Sequence, residues 1–415
     1  LGDDGLVHAV FETEAEFGFP DWNFGFSNYA FDAGGAIVAI ARSRGRDRMY
    51  RIAAEGFSAD EIPLDFTEMS YLAVDGGTAV FRAASPSRGW GIFELDFDSG
   101  QVRPLREGSS EDDVDPADVS IAQLIEFPTT AGQTAFGLYY PPHSRQFRGP
   151  DGERPPLVVT SDGGPTAQAS TAFQVGVQLF TSRGFGVLDV DYGGSTGYGQ
   201  AYRERLEGQW GVVDVDDCVN GAAWLVARGL VDGERLAIRG SSASGYTTLA
   251  AVTFRDRFKA GTSYYGIGDL ETFDAQTHKF ESRYSSTLIG PYPEARDLYR
   301  ARSPLNFLDR ISCPVLILQG AEDRIVPPAQ AEQIVDALWE RRLPHAYLLF
   351  AGEDHGFRAA ANIVRSYEAE LSFYGQVFGF EPADRIEPID VKFLGPADAT
   401  PPADPSDASE ARIGA

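Results

Sequence analysis

The hydrophobic pattern divides the chain into two parts that differ in periodicity. Residues 1–118 lack helical spacing and show short apolar runs broken by Gly and Asp, which predicts antiparallel β-strands. From residue 119 onward, continuous apolar runs alternate with amphipathic stretches. Continuous apolar strands separated by helices are typical of a mostly parallel sheet covered on both faces. We therefore predict a β-region at 1–118 and an α/β domain with a doubly wound sheet at 119–384.

The N-terminal part contains an internal repeat. A Gly-Gly turn ends at Gly35 and again at Gly77, 42 residues apart, with strand-like runs on both sides of each turn. A period of about 40–45 residues with four strands is typical of a β-propeller blade, although two unrelated hairpins would also fit. Propellers close with roughly 4–8 blades, and this part has room for about two. Since the first residue is Leu1 rather than Met, we expect a missing N-terminal segment or a second polypeptide to complete the propeller.

The α/β part shows the clearest single elements. The predicted strands are 156–160, 186–190, 236–238, 314–318 and 346–350. A helix is predicted over 215–228, ended by Gly229, and a closing helix carries an apolar stripe from Ile363 to Tyr374. After residue 384 the composition becomes rich in Pro, Ala and Asp, which predicts an extended tail over 385–415.

Composition excludes two classes of partner. The net charge of −26 leaves no surplus of cations to neutralise phosphates, so we expect no nucleic-acid partner. No stretch approaches the ~20 apolar residues that a membrane span needs. The two cysteines, Cys218 and Cys313, fall in apolar surroundings and are predicted to be buried free thiols. This favours a reducing, cytoplasmic location, although a missing N-terminus would have been able to carry a targeting sequence.

The segment 240–246 has the pattern of a nucleophile elbow. It reads Gly-Ser-Ser-Ala-Ser-Gly-Tyr and joins the strand 236–238 to a helix-like run at 247–251. A serine on such a turn projects its hydroxyl above the sheet, beside the N-terminus of the helix. Ser242 is the favoured nucleophile because Gly240 precedes it by two residues, whereas Ser244 has the bulky Tyr246 two residues after it. Ser244 nevertheless occupies the second glycine position of the usual G-x-S-x-G.

A base and an orienting acid follow in the order that an acyl-transfer serine requires. His355 lies in a Gly-rich loop after the last predicted strand, and Asp323 follows the strand 314–318. Loops at the carboxyl ends of parallel strands collect the active site of such a sheet. The order Ser242, Asp323, His355 is that of the α/β-hydrolase fold. Taken separately, His355 also fits a surface histidine and Asp323 a helix N-cap.

Two loops are expected to form an oxyanion hole. Ala243, the residue after the nucleophile, would supply one backbone N–H. A second N–H is expected from the loop 161–165, Ser-Asp-Gly-Gly-Pro, because paired glycines let the backbone approach a developing oxyanion. The same loop also fits an ordinary Gly-Pro turn.

Together these residues resemble the prolyl oligopeptidase family of serine peptidases, especially its acylaminoacyl-peptidase-like branch. The matching segments are 162–165, 193–199, 240–246, 320–327 and 354–357, and the resemblance is dense over about 119–380. It implies a β-propeller capping an α/β-hydrolase domain, with oligopeptides cleaved between them. It also implies Ser242 as nucleophile, Asp323 as orienting acid and His355 as base, and it assigns the oxyanion N–H groups to Gly164 and Ala243.

The chain departs from the family pattern at three positions. Asp162 stands where relatives usually carry His, Ser244 where they carry Gly, and Asp191 where they carry Asn. With Tyr198, these three residues are predicted to belong to the pocket. An ionised Asp162 at ~4 Å from the oxyanion would oppose it by about 4 kcal/mol at an effective dielectric constant of ~20. We therefore expect Asp162 to point away, to be protonated or to pair with a cation, and we hypothesise a substrate with a cationic group.

The leading functional hypothesis is a serine hydrolase that cleaves peptide or amide bonds of short peptides through an acyl-enzyme. One alternative is a specialised acyl hydrolase or acyltransferase on a small amide of secondary metabolism; another is a catalytically silent binding protein on the same scaffold. The sequence has neither zinc-type His/Cys spacing nor a phosphate-binding Gly-x-x-x-x-Gly-Lys. We expect no metal and no cofactor, and a homo-oligomer is compatible with the sequence.

Overall fold

The structure is a computed structural model that describes residues 5–7, 9–18, 24–107 and 114–395. Within these ranges the chain forms two four-stranded antiparallel sheets, followed by one eight-stranded mixed sheet. The two small sheets precede the large one in the chain, as the hydrophobic pattern predicts. This is an α/β-hydrolase fold preceded by part of a β-propeller, and it confirms the fold class expected from the sequence.

The two small sheets correspond to the internal repeat. Their strands are β1 (Tyr29–Phe31), β2 (Ile37–Ser43), β3 (Arg46–Ile52), β4 (Ala59–Ile62), β5 (Glu68–Asp75), β6 (Thr78–Ser85), β7 (Arg88–Asp96) and β8 (Val102–Arg106). Gly35 lies in the turn between β1 and β2, and Gly77 lies in the equivalent turn between β5 and β6. A shared core joins the two sheets and includes Met49, Phe66 and Phe81. Completion of a ring by further blades stays a prediction.

The large sheet has the order β16-β15-β14-β13-β11-β12-β10-β9. Its strands are β9 (Gln123–Pro128), β10 (Thr134–Tyr140), β11 (Leu157–Ser161), β12 (Gly186–Asp191), β13 (Leu236–Ser241), β14 (Ala260–Tyr264), β15 (Val315–Gly320) and β16 (His345–Phe350). The six strands from β11 to β16 run parallel to one another. At the other side of the sheet, β10 pairs antiparallel with β12 and with β9. The carboxyl ends of the parallel strands therefore meet at one edge of the sheet.

Helices cover both faces of this sheet. They are α1 (Val175–Ser182), α2 (Gln200–Arg203), α3 (Val213–Ala227), α4 (Ala243–Phe254), α5 (Leu270–Gln276), α6 (Tyr284–Leu288), α7 (Arg296–Arg302), α8 (Pro328–Glu340) and α9 (Ala360–Phe378). Helices α3, α4 and α8 contribute to the core on one face, and α1 and α9 contribute to the core on the other. The continuous apolar runs of the strands are explained by this burial on two sides.

The observed elements extend the predicted ones near the elbow. The strand predicted at 236–238 continues as β13 to Ser241, and the helix-like run at 247–251 is the middle of α4, which begins at Ala243. Arg239 and Gly240 interrupt the apolar run and so hid the end of the strand. Cys218 and Cys313 are both buried and unpaired, as the sequence predicts.

Residues 385–395, the described part of the predicted tail, lie on the large sheet. Ile389 and Val391 are buried in the same core as α1 and α9. Lys392 pairs with His345 at the first residue of β16 through two backbone hydrogen bonds. Residues 396–415 lie outside the described residues, and the domain boundaries at 118 and 384 stay predictions.

Within the described ranges, no helix combines the length and the apolar character that a membrane crossing needs.

Candidate active site

Ser242 lies on a sharp turn between β13 and α4. Its backbone adopts φ 55° and ψ −119°, a conformation that residues with a side chain rarely adopt. The turn also brings Gly240 against the first turn of the helix, where an added Cβ would lie 2.3 Å from the carbonyl oxygen of Ser244. Only glycine fits at position 240 for this reason. The strained backbone and the close approach are the geometry of a nucleophile elbow.

Ser244 completes this turn by hydrogen bonding. Its buried hydroxyl accepts a hydrogen bond from Ser241 N at 2.8 Å and donates one to Ser241 O at 3.0 Å. The tight helix–strand approach that glycine usually permits falls one residue later, because an added Cβ on Gly245 would lie 2.8 Å from Gly266 Cα. A serine at position 244 is therefore accommodated without a clash.

A continuous chain of hydrogen bonds joins Ser242, His355 and Asp323. His355 Nε2 lies 2.8 Å from Ser242 Oγ, and His355 Nδ1 lies 2.8 Å from Asp323 Oδ2. With the ring neutral and protonated on Nδ1, Nδ1–H donates to the carboxylate and Nε2 accepts from the serine hydroxyl. This arrangement allows Nε2 to take the serine proton when the oxygen attacks a carbonyl.

Asp323 is held in place for this contact by the loop that follows β15. Its side chain is buried, and its Oδ1 accepts hydrogen bonds from Ile325 N and Val326 N, both at 2.9 Å. These bonds leave Oδ2 directed at His355. Asp323 does not cap α8, whose N-cap residue is Pro327.

The histidine loop is fixed on both sides of His355. The Asp354 carboxylate accepts a hydrogen bond from His355 N at 2.8 Å. The Glu353 carboxylate accepts hydrogen bonds from Arg358 N and Ala359 N just before α9. The ring of Tyr265 packs on the imidazole with ring centroids 4.7 Å apart. These contacts hold the imidazole between the other two side chains.

The glycine loop 161–165 lies beside the nucleophile. An added Cβ on Gly163 would lie 3.3 Å from Ser241 O and 4.0 Å from Ser242 Cβ. Gly164 adopts φ +115°, which a residue with a side chain adopts only under strain. Ala243 is the first residue of α4, and the N–H groups in the first turn of a helix have no partner within the helix. Gly164 and Ala243 both line the cavity next to Ser242.

That cavity has a volume of about 260 Å³ and an apolar, partly aromatic wall. The residues that line it are Gly164, Pro165, Trp210, Ser242, Ala243, Ile267, Phe273, His278, Glu281, Tyr284, Ser285, Leu288, Ile325 and His355. Apart from Ser242, Ala243, His355 and Gly164, none of these was identified from the sequence. Phe273, Tyr284 and Leu288 come from α5 and α6, helices of seven and five residues that are too short to show a helical period.

The other four residues predicted at the pocket do not line this cavity. Asp191 is fully buried and accepts hydrogen bonds from the Tyr198 hydroxyl and from Ala169 N, both at 2.6 Å. Ser244 is used within the elbow, as described above. Asp162 Oδ2 is buried and has no hydrogen-bond partner among the described residues. None of these four residues lines the cavity next to Ser242; their assignment to the substrate pocket stays a prediction.

Burial changes the ionisation of the carboxyl groups behind the glycine loop. Burial is the main cause that raises the pKa of Asp162 well above its usual value, and the nearby Asp189 and Asp191 add to it. Burial likewise raises the pKa of Asp189 to about 7 and that of Asp191 to about 6. The raised pKa disfavours the ionised form of Asp162 and so weakens the repulsion expected between its carboxylate and an oxyanion.

In the parts of the chain that the structure describes, no group of three or more His, Cys, Asp or Glu side chains is arranged to hold a metal ion.

Comparison with known proteins gives consistent matches. The model of the prolyl oligopeptidase family matches residues 171–381. A curated relative, dipeptidyl aminopeptidase BIII of Pseudoxanthomonas mexicana, is 33% identical over 252 residues, which are 59% of this chain and 36% of that protein. The chain therefore spans about a third of this relative's length.

Two solved structures resemble the chain over most of its length. A puromycin-hydrolyzing peptidase of Mycobacterium tuberculosis has 44% sequence identity and a TM-score of 0.89, covering 92% of this chain and 58% of that one. A puromycin hydrolase has 41% identity and a TM-score of 0.89, covering 94% of this chain and 59% of that one.

Proposed function

This chain belongs to the prolyl oligopeptidase family, and from that premise we propose that it is a serine hydrolase cleaving peptide or amide bonds of short substrates through an acyl-enzyme on Ser242. The observation that carries the proposal is the unbroken hydrogen-bond chain from Ser242 through His355 to Asp323, which opens onto an apolar cavity. A site that only bound peptides would have no need of a serine on a strained turn next to a paired histidine.

The proposed reaction has two halves. Ser242 Oγ attacks the substrate carbonyl carbon while His355 Nε2 takes the hydroxyl proton, and Asp323 stabilises the imidazolium that forms. The N–H groups of Gly164 and Ala243 bind the negative oxygen of the tetrahedral intermediate. His355 then gives its proton to the departing amine, which leaves the acyl group on Ser242. Water, deprotonated by His355, releases the acid and restores the serine.

The cavity suggests which part of the substrate is recognised. Trp210, Phe273 and Tyr284 supply aromatic surface, and about 260 Å³ is enough for one large side chain rather than a long peptide. We propose that it holds the apolar or aromatic side chain of the residue whose carbonyl is attacked. The two solved relatives are described as hydrolysing puromycin. Together with the aromatic wall of the cavity, this makes puromycin and aromatic aminoacyl amides the substrates to test first.

The first experiment is labelling of the 415-residue chain by a fluorophosphonate together with an assay of puromycin and aromatic aminoacyl amides. We expect labelling and turnover in the wild type. Ser242→Ala should abolish labelling and lower kcat at least about 10⁴-fold, because the nucleophile is removed. Ser182→Ala, which removes an exposed hydroxyl on α1, is the matched control and should behave like the wild type.

The outcomes separate the alternatives. If Ser242→Ala hydrolysed the substrate as fast as the wild type, Ser242 would not be the nucleophile. A folded chain that neither reacts with the probe nor hydrolyses any amide would favour a binding protein on this scaffold. Transfer of the acyl group to an added amine, measured by mass spectrometry in competition with hydrolysis, would favour an acyltransferase.

A further inference from the structure

Tyr192 lies directly behind the glycine loop. It is the first residue after β12, its side chain is fully buried, and its hydroxyl donates a hydrogen bond to Pro165 O at 2.6 Å. The carbonyl oxygen of Asp162 lies 3.4 Å from the same hydroxyl. These two carbonyl groups lie just before and just after Gly163 and Gly164. One hydroxyl therefore contacts the loop on both sides of the paired glycines.

The glycine pair needs such an external contact. Glycine has more accessible backbone conformations than any other residue, and Gly164 uses one at φ +115°. Among the described residues, Tyr192 is the only one that donates a hydrogen bond to a backbone carbonyl of 162–165. The next polar contacts along the chain are at Thr166, whose hydroxyl lies 2.7 Å from the Tyr284 hydroxyl, and at Ala167 O, which accepts a hydrogen bond from Thr196 N at 2.9 Å.

We propose that Tyr192 is a positioning residue for the oxyanion hole: its hydroxyl fixes the Gly163–Gly164 segment so that the Gly164 N–H points at the developing oxyanion. This inference rests on the proposed function, because it assumes that Ser242 forms a tetrahedral intermediate. Tyr192 is not among the residues that line the cavity, so we expect no direct contact with a bound substrate. Its effect is exerted through the loop, and it should appear in the transition state rather than in substrate binding.

The donor is available at every pH at which the enzyme would work. Burial is the main cause that raises the pKa of Tyr192 well above its usual value, and the nearby carboxyl groups of Asp214 and Asp162 add to it. The hydroxyl therefore stays protonated and continues to donate its hydrogen bond to Pro165 O. The phenol ring is itself packed in the core beside Leu206 and Trp210, so the side chain has little freedom to leave this position.

The test is Tyr192→Phe, which removes only the hydroxyl. We expect kcat to fall about tenfold while KM stays within about twofold. This is less than the 10²–10³-fold cost of deleting an oxyanion donor outright, since the Gly164 N–H remains but is less well oriented. Affinity for an aldehyde analogue of the substrate, which forms an oxyanion on Ser242, should fall by the same factor as kcat. A merely structural role would not link these two quantities.

Tyr299→Phe is the matched control. Tyr299 is equally buried, and its hydroxyl donates to a backbone carbonyl, Gly290 O, at 3.0 Å, but it lies on α7 and does not line the cavity. It should lose stability without losing kcat. All rates are expressed per active site titrated with a fluorophosphonate, so that a fraction of misfolded protein does not imitate a slow enzyme.

The results distinguish failure of the Tyr192 inference from failure of the proposed function. An active wild type with an unchanged kcat and aldehyde affinity in Tyr192→Phe would overturn this inference and leave the proposed function standing. Loss of kcat accompanied by an equal rise in KM would also overturn it. A wild type that forms no adduct at Ser242 would overturn the proposed function and the inference with it.

Discussion

Ser244 shows how a hydroxyl can take the place of a glycine beside a nucleophile. Its side chain bonds to both the N–H and the carbonyl group of Ser241, and these bonds tie the end of β13 to the first turn of α4. The sequence marks Ser244 as a departure from the usual motif, but it gives no indication of the two bonds. They depend on the direction of the side chain, which is determined only once the turn is folded.

Ser244→Gly should lower the free energy of unfolding by about 1–2 kcal/mol. The variant loses two partly buried hydrogen bonds and introduces a glycine into a helix. The kcat should stay within about twofold, since Ser244 does not line the cavity. Urea unfolding and steady-state kinetics on the same preparation measure both effects. A variant as stable as the wild type would show that the hydroxyl contributes nothing to the elbow.

Asp162 illustrates the limit of reading a site from neighbouring residues in the chain. Its position next to Gly163 and Gly164 suggested a charge close to the oxyanion. In the structure its carboxyl group turns inward, and burial favours its neutral form. Of the three outcomes expected for Asp162, two are favoured: the residue does not line the cavity, and burial raises its pKa and so disfavours the ionised form. A neutral Asp162 would not attract a cation, and the substrate with a cationic group stays a hypothesis.

At the scale of elements, two parallel strands bring three carboxyl groups together. Thr160 of β11 pairs with Asp189 of β12, and Asp162 follows the end of β11. Asp189 and Asp191 are two residues apart and so face the same side of the sheet. The pKa of Asp189 is raised to about 7. Burial is the main cause, the charge of Asp191 adds to it, and Arg239 opposes it.

This cluster predicts an unusual dependence of stability on pH. The pKa of Asp189 is raised in the folded state above its usual 3.8. The unfolded chain therefore loses this proton first, and the folded state loses stability as the pH rises from about 4 to about 7. Asp189→Asn cannot ionise and escapes this loss. Its stability should match the wild type near pH 4 and exceed it by up to about 4 kcal/mol above pH 7.

Unfolding midpoints in urea at a series of pH values measure this difference. Asp60→Asn, a change at an exposed aspartate on the edge strand β4, is the control and should show no such trend. A difference between Asp189→Asn and wild type that does not change with pH would contradict the raised pKa.

The short helices show where element prediction from sequence fails. Long runs such as α3 and α9 were identified because they present several turns of one apolar face. Helices α5, α6 and α7 have only five to seven residues, too few to show a period, and they were not predicted. Two of them form much of the cavity wall. The wall of the cavity was thus the part of the candidate site that the sequence pattern did not predict.

At the scale of the whole molecule, the propeller blades are joined to the hydrolase part by buried charges. Glu68 of β5 accepts hydrogen bonds from the Ser170 hydroxyl at 2.6 Å and from Ala172 N at 3.1 Å. Arg42 of β2 pairs with Asp47 of β3 and lies 3.8 Å from Glu68. Glu68 thereby fixes the segment 170–172, which follows the glycine loop 161–165 in the chain. The blades thus stabilise a segment next to the candidate site.

Glu68→Ala should lower the free energy of unfolding by about 3 kcal/mol. The change leaves the Ser170 hydroxyl and the N–H groups of Thr171 and Ala172 without their acceptor, and it removes one of the two carboxylates beside Arg42. Glu61→Ala is the matched control in the same blade region: Glu61 is exposed and paired with Arg48 at 2.8 Å, so its loss should cost less than about 1 kcal/mol. Thermal and urea unfolding of both variants test the difference, and equal effects would contradict a supporting role for the junction.

The sequence by itself determined the fold class, the blade repeat and the order of Ser242, Asp323 and His355 at strand ends. These features are encoded locally: apolar runs specify buried strands, and small residues specify tight turns. The tertiary structure alone decided the wall of the cavity, the inward direction of Asp162 and Asp191, and the contact of Tyr192 with the glycine loop. Each of these joins residues far apart in the chain, and the direction of a side chain follows from packing against such distant neighbours.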